Sequence, residues 1–401
     1  MSKKIKEKLD IGKSLECREL TCVQDLLSRP LVWWRDVPID VEAGLLSYLS
    51  KVWNNGIYVI AANGYEQARQ QCNWGTESYA NVCFITGKTE IEENARLLDQ
   101  LIADKDVLHL ASGIKGGHRI FLDRLNKQKE RKCVFIMESP SLFGSLFKRI
   151  IKKLLYPVLY HGYFFQYKRI ASGLFSMGHA AVKQYNKYGW KKTLEFVYLP
   201  LLERKEQARQ MNNDTLRMLY IGRFDFKAKG VDIIMRAVDI LPKNLKWHMD
   251  LVGGYGVDSN RVISWCEHTP QVRYIGTWPS NEVVEKMTQY DFCIVPSRYD
   301  GWNMTPQQAI YAGIGCIVTD GAGSQDIIQH SGAGCVVPKG DSIALSNAIE
   351  NAVKNPEMVE NWKKKTREYV HRISIDSVGS YFIDGLNYLY GYNDRKPKVP
   401  W

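Results

Sequence analysis

Four apolar residues, Phe292 to Val295, run into Pro296, and a polar loop follows. Thr305-Pro306-Gln307-Gln308 then reads as a helix start, with Thr as cap, Pro in the first helical position and Gln three residues after the cap. A short run that is apolar on both faces, closed by a loop and a helix, is the unit of a parallel sheet covered on both sides. In such sheets ligands bind beyond the carboxyl ends of the strands, where a helix N-terminus offers unpaired N–H groups to anions. A carboxylate, Asp300, stands in this loop.

The same alternation recurs along the chain. Strands are expected at Leu31–Trp34, Gly56–Ala61, Asn81–Ile85, Asp106–Leu110, Lys132–Glu138, Gly173–Ser176 and Thr193–Val197, with helices between them. The helices include a polar one near Glu66–Gln71, one at Glu90–Ile102 and one from His179 to Tyr188. Residues 1–28 read as one or two helices packed outside the first sheet. Glu203–Asp214 is charged and turn-rich, as a domain linker is. The alternation then restarts, with strands at Leu216–Ile221, Trp247–Val252, Gln271–Ile275, Phe292–Val295 and Ile314–Thr319, and three helices finish the chain. With 401 residues, 45% of them hydrophobic, the chain can bury two cores. The fold class is α/β, with two doubly wound, Rossmann-like domains, residues 1–203 and 204–375, followed by a last helical segment, 376–401.

Asp300 and Gln308 are separated by seven residues, framed by Pro296-Ser297 before and Ala309, Ala312, Gly313 and Ile317-Val318 after. Upstream, Gly222-Arg223 and Lys229-Gly230 bracket a strand-to-helix loop. This pattern resembles the retaining glycosyltransferases of family 4, whose two-domain architecture is called GT-B. Their signature is two acids at that spacing, here replaced by an Asp and a Gln. The resemblance is close over roughly residues 216–340 and topological before that. It implies two domains facing a central cleft, with the last helix crossing back to the first domain, acceptor in the first domain and nucleoside-diphosphate sugar in the second. It also implies that side-chain cations take the place of a metal.

Carried onto this chain, the resemblance gives Arg223 and Lys229 the departing diphosphate and Asp300 the hydroxyls of the donor sugar. Glu138 matches the position where the family has a histidine facing the reacting sugar. Gln308 is assigned the ribose hydroxyls, and Trp302 a wall of the donor pocket. Gly222, Gly254, Thr277, Asn303, Met304, Thr305 and Gly323 complete the donor-contacting set, with the Met304 and Thr305 amides adding the helix dipole. Each residue also has a plainer reading. Arg223 and Lys229 could be exposed loop charges, Asp300 an Asx turn before Gly301, Gln308 the capping partner of Thr305, and Glu138 a cap for Ser139 or Ser141. Gly113 to Gly117, with His118, reads as an acceptor loop of the first domain, while His118 could equally face solvent at a helix start.

Net charge is +11 with a pI near 9.0, which attracts phosphates or an anionic membrane. Residues 143–165 interleave Lys148, Arg149, Lys152 and Lys153 with Leu146, Ile150, Ile151, Leu154 and Leu155. They form a basic amphipathic helix bounded by Pro157 and suited to a membrane interface. No stretch approaches the roughly 20 apolar residues of a spanning helix, the start Met1-Ser2-Lys3-Lys4 lacks a leader's apolar core, and nine cysteines stand without a C-x-x-C pair. The expected setting is the cytoplasm, peripheral on the inner face of the membrane. Nothing has the signature of a nucleic-acid module, and no histidine spacing suggests zinc. The expected activity is transfer of a sugar from a nucleotide donor to a glycan or lipid-linked acceptor, in cell-surface polysaccharide or glycolipid synthesis. The rivals are a binding protein that no longer catalyses and a sugar-nucleotide epimerase.

Overall fold

The computed structural model describes residues 25–38, 40–64, 78–140, 144, 146–200, 202, 215–254 and 256–401. The expected helices before residue 25, the polar helix at 66–71 and the linker at 203–214 lie outside the described residues. Seven parallel strands make the first sheet: β1 (Leu31–Arg35), β2 (Ile57–Ala61), β3 (Val82–Thr86), β4 (Leu108–Ser112), β5 (Cys133–Met137), β6 (Ala171–Met177) and β7 (Thr193–Phe196). Their order is β3-β2-β1-β4-β5-β6-β7. Six parallel strands make the second: β8 (Leu216–Arg223), β9 (Trp247–Gly254), β10 (Val272–Tyr274), β11 (Phe292–Val295), β12 (Gly315–Thr319) and β13 (Gly334–Val337), ordered β10-β9-β8-β11-β12-β13. Strands β1, β5, β11 and β12 are buried along their whole length, as apolar runs between two helical layers must be.

Both sheets reverse direction once, between β1 and β4 and between β8 and β11. Each reversal opens a crevice at the carboxyl ends of the strands. Arg35 and Ser112 end the strands beside the first crevice, Arg223 and Val295 those beside the second.

Some elements differ from expectation. Strand β13 was not foreseen, because Gly-Cys-Val-Val is short and begins with glycine; a Cβ at Gly334 would stand 1.8 Å from the Cys316 carbonyl, so glycine lets this edge strand approach β12. The helix expected at Glu90–Ile102 is two, Gly87–Glu93 and Ala95–Ala103, broken at Asn94. Pro157 does not bound its helix, which runs from Leu146 to Tyr167. Pro157 lies on the exposed side, where water can satisfy the carbonyl that proline leaves without a donor.

The helix Ile375–Tyr390 packs on the first sheet, not the second. Phe382 stacks on Phe175 of β6 with ring centroids 4.8 Å apart. The Tyr381 hydroxyl donates to the Glu195 carbonyl at 2.7 Å, and the Tyr390 hydroxyl to the His109 carbonyl at 2.6 Å. His109 itself is wholly buried in β4, where its Nδ1 accepts from Trp34 Nε1 at 3.3 Å. Burial holds its pKa down, from 6.5 to about 3, with the Arg131 charge adding to the effect.

An imidazole neutral in the folded state and protonated in the unfolded one makes stability fall as pH drops below the unfolded value. Between pH 6.5 and pH 5 the protein should lose about 2 kcal/mol from this residue alone. Urea unfolding at the two pH values should show that loss, and His109→Gln should reduce it.

Candidate active site

The second crevice is assembled by backbone loops that approach closely. After β8, the Asp225 carbonyl accepts from the amides of Lys229 and Gly230 at 2.9 and 3.0 Å, and its carboxylate from the Ala228 amide at 3.0 Å. Gly230 has φ +70, and a Cβ there would lie 2.2 Å from the Pro296 carbonyl. Arg298 binds both carboxylate oxygens of Asp232, at 2.5 and 2.7 Å, and also donates to the Phe226 carbonyl. The loop after β11 is thereby bolted to the loop after β8. Within the crevice the Lys229 ammonium pairs directly with the Asp300 carboxylate, both largely shielded from solvent. Arg223, at the end of β8, is exposed beside them.

Asp300 is not an isolated turn residue. Its carboxylate also accepts from Asn303 Nδ2 at 3.0 Å, and its backbone bonds the β12 loop in both directions, amide to Gly321 at 2.9 Å and carbonyl from Gly323 at 3.1 Å. A Cβ at Gly323 would sit 2.2 Å from the Gly301 carbonyl, so this glycine serves close loop packing. Asn303 takes φ 70, unusual for a residue with a side chain. Its Oδ1 accepts from the Thr305 amide at 2.9 Å.

These contacts correct the expected helix start. The helix is Thr305–Ala312 with Met304 as cap, so Pro306 is its second residue and Thr305 caps nothing. Because the Thr305 amide is engaged by Asn303, it does not offer itself to a phosphate. Gln308 donates its backbone amide to the Met304 carbonyl at 2.9 Å and stands half-buried in the second turn, not in a capping box with Thr305. Trp302 is 2% exposed, and a Cβ at Gly178 of the first domain would lie 3.3 Å from its ring. It packs at the seam between the two halves.

Across that seam the first sheet presents Glu138, just beyond β5. Its Oε1 accepts from the Tyr198 hydroxyl at 2.6 Å. Its other oxygen rests on Gly301, where a Cβ would be 2.2 Å away. Glu138 therefore touches the residue next to Asp300. The neighbouring Ser139 carbonyl accepts from the Tyr299 hydroxyl at 3.0 Å, while the Ser139 hydroxyl turns to Gln184. Glu138 also edges a cavity of about 430 Å³ whose walls include Glu42, Ser112, Lys115, Tyr160, Tyr185 and Tyr198. Gly113, Ile114 and Lys115 of the glycine-rich loop line it as well. That loop is anchored by Asp36, which accepts from the Gly117 amide at 2.6 Å, and by His118, which is buried with Nε2 3.3 Å from the Gly113 carbonyl.

The structure thus gathers Arg223, Lys229, Asp300, Asn303 and Gly323 at one crevice and brings Glu138 to its edge. Gly222 and Gly254 flank Arg223 in the ladder between β8 and β9, and Thr277 is exposed beyond β10, two strands from Arg223. Two residues were missed. Gln307 is fully buried, accepts from Trp302 Nε1 at 3.3 Å and donates to the Tyr198 carbonyl at 2.9 Å. Tyr198, whose hydroxyl pKa is pushed well up by burial and by Glu138 and Glu42, stays a hydrogen-bond donor to Glu138. Gln307 could have been noticed as the neighbour of Gln308 on the inner side of the helix; Tyr198 carries no local signal. Among the described residues no group of three or more His, Cys, Asp or Glu side chains could hold a metal.

Two facing parallel α/β sheets with paired crevices define the GT-B fold. The Anabaena protein HepE, solved with UDP and in another crystal with UDP-glucose, shares it: the UDP form superposes with a TM-score of 0.67 at 12% identity, covering 90% of this chain and 99% of that one. Residues 203–369 match the family model described as glycosyl transferases group 1. An uncharacterized glycosyltransferase of Methanocaldococcus jannaschii, MJ1178, is 24% identical over 159 residues, 39% of this chain and 43% of that protein. The lipopolysaccharide core biosynthesis mannosyltransferase LpcC of Rhizobium leguminosarum bv. viciae is 24% identical over 139 residues, 32% of this chain and 39% of that protein. The matches span about two fifths of these relatives' lengths.

Gly230→Ala combines a left-handed backbone with a collision against a carbonyl. It should destabilise the protein by more than about 1 kcal/mol in urea unfolding, whereas Gly64→Ala, with nothing within 4 Å, should be close to neutral.

Proposed function

We propose that this protein is a retaining glycosyltransferase that moves a sugar from a nucleoside diphosphate to a glycan or lipid-linked acceptor, in the synthesis of cell-surface polysaccharide or glycolipid. The observation that carries this reading is the Lys229–Asp300 pair in the second crevice, with Arg223 beside it and Glu138 reaching Gly301 from the other sheet. A donor can replace that pair group for group. Its diphosphate takes Lys229 and Arg223, and a sugar hydroxyl donates to Asp300, so neither charge loses a partner.

As the glycosidic bond breaks, negative charge grows on the departing phosphate. Fixed cations there stabilise the transition state more than the ground state. Glu138, on the acceptor side, orients the incoming hydroxyl toward the anomeric carbon. Gln308, on the helix that follows the β11 loop, and Thr277, beyond β10, take the nucleoside end, Gln308 through its amide oxygen. Asp in place of a longer acid at position 300 is compensated by Asn303, which holds the carboxylate from the side.

The acceptor side carries a surface of its own. In the helix Leu146–Tyr167, Tyr156, Tyr160, Tyr163 and Tyr167 form the inward stripe; Tyr160 stacks on Tyr188 at 5.5 Å and the Tyr167 hydroxyl donates to Asp123 at 2.8 Å. The opposite stripe, Phe147, Ile151, Leu154, Val158 and Phe165, points away from the body, with Phe147, Leu154 and Val158 at 72%, 70% and 73% exposure. This reverses the usual arrangement, in which the apolar face covers a core. No helix among the described residues is long and apolar enough to cross a membrane. The apolar stripe, with Lys148, Arg149, Lys152 and Lys153 beside it, fits the interface of an anionic bilayer on the inner, cytoplasmic face. Each buried Leu, Val or Phe would contribute up to about 1.5–3 kcal/mol and each basic residue about 1 kcal/mol.

Thermal unfolding with a panel of nucleotide sugars should give a higher melting temperature with at least one donor. With that donor, Arg223→Ala or Lys229→Ala should lower turnover roughly 100- to 1,000-fold while the melting temperature without ligand changes little. Turnover unchanged in both variants would remove the phosphate assignment, and stabilisation without any transfer would leave a binding protein. Flotation with phosphatidylglycerol vesicles should recover the wild type but not Leu154→Glu/Val158→Glu. Equal recovery of both would exclude this helix as the contact.

A further inference from the structure

Arg35 ends β1 at the first crevice and pairs with Glu42, which closes the short turn Asp40–Glu42. Both side chains are 1% exposed. Burial raises the Glu42 pKa more than the Arg35 charge lowers it. The pair is incompletely satisfied: Arg35 Nη1 meets Glu42 Oε2, but Arg35 Nε and Nη2 have no hydrogen-bond partner. Each unmet buried group costs about 1–3 kcal/mol, and a buried ion pair can often be replaced by apolar residues without loss of stability. Packing alone gives no reason for this arrangement, but a ligand does, because Glu42 lines the cavity that Glu138 borders.

The cavity's chemistry narrows that ligand. At about 430 Å³ it is in the usual range for small-molecule sites, roughly 300–1,000 Å³. Tyr160, Tyr185 and Tyr198 supply aromatic walls and Ser112 and Ser139 short polar groups. Trp33 is held by its Nε1 on the Ser112 hydroxyl at 2.9 Å, and its ring lies 4.9 Å from the Arg35 guanidinium. Arg35 occupies only one of the acceptor sites of the Glu42 carboxylate, so Glu42 can accept a further hydrogen bond from the cavity. Since Arg35 already balances its charge, a neutral hydroxyl suits it better than an ammonium group.

We propose that the Arg35–Glu42 pair is the specificity-determining floor of the acceptor subsite, taking a neutral, polyhydroxylated sugar unit through a hydroxyl that donates to Glu42. Glu138, at the rim beside Gly301 and Asp300, is left to hold the hydroxyl that reacts. The assignment rests on the glycosyltransferase reading for its meaning, but it is tested without turnover.

Saturation-transfer NMR on the full chain, with the methyl glycosides of glucose, galactose and mannose, should show at least one bound. In Arg35→Met/Glu42→Leu, which keeps the volume and removes both charges, that glycoside should bind at least 10-fold more weakly, while nucleotide sugars still raise the melting temperature. A wild-type measurement stands if the double variant does not fold: the methyl glycoside of the corresponding 2-amino-2-deoxy sugar, an ammonium ion at neutral pH, should bind more weakly than the neutral one. Equal affinity in wild type and double variant, tighter binding of the ammonium sugar, or no glycoside bound by the wild type would each overturn the proposal. Loss of the donor-induced melting shift in the wild type would instead count against the glycosyltransferase reading, leaving the sugar subsite to stand or fall on the NMR result.

Discussion

Backbone-to-backbone contact among three loops governs the second crevice. Gly230 lies against the Pro296 carbonyl, Gly321 against Ser297 and Gly323 against Gly301, each at a spacing where a single added carbon would collide. Side chains are excluded from these contacts, so the loops settle into one arrangement. Lys229 and Asp300, which belong to different loops, meet because of that arrangement and not because of their own attraction. Ion pairs that remain partly exposed contribute little by themselves, so the pair is better seen as a product of the glycine contacts than as their cause.

The fold was largely readable from the sequence because buried parallel strands write themselves as apolar runs. Phe292–Val295 was expected and observed with the same ends, and Cys133–Met137 is one residue shorter at each end than the expected Lys132–Glu138. Reading failed where the deciding contact is distant in sequence. Strand β13 exists because Gly334 can approach β12, and the helix through Pro157 continues because that turn faces water. The residues around Asp300 were legible as a group, since strand, loop and helix fall within one short stretch. The Asn303 bond to the Thr305 amide, which shifts the helix cap to Met304, depends on a φ that the sequence does not state. Tyr198 and Gln307 stand more than a hundred positions apart, and their pairing needed the whole tertiary structure.

The two halves divide the work by charge. The second crevice is built around cations, Arg223 and Lys229, with one carboxylate to balance them. The first is built around carboxylates, Glu42 and Glu138, with Arg35 balancing one. Facing crevices of opposite character suit a reaction whose one partner is a diphosphate and whose other is a neutral hydroxyl compound. The Trp302–Gln307–Tyr198–Glu138 chain of hydrogen bonds runs between them, so that a shift of the helix Thr305–Ala312 would be felt at Glu138.

The helix Ile375–Tyr390 comes near the end of the chain yet covers the sheet that is made first. Phe382 packs on Phe175 and Phe196, so part of the apolar cover of that sheet is made late. On the ribosome, the amino-terminal sheet must therefore wait, partly open, through the synthesis of about two hundred further residues, while the six-stranded half can complete itself ahead of it. Order of emergence and order of completion are reversed, and the waiting sheet keeps apolar surface uncovered while the second half is made.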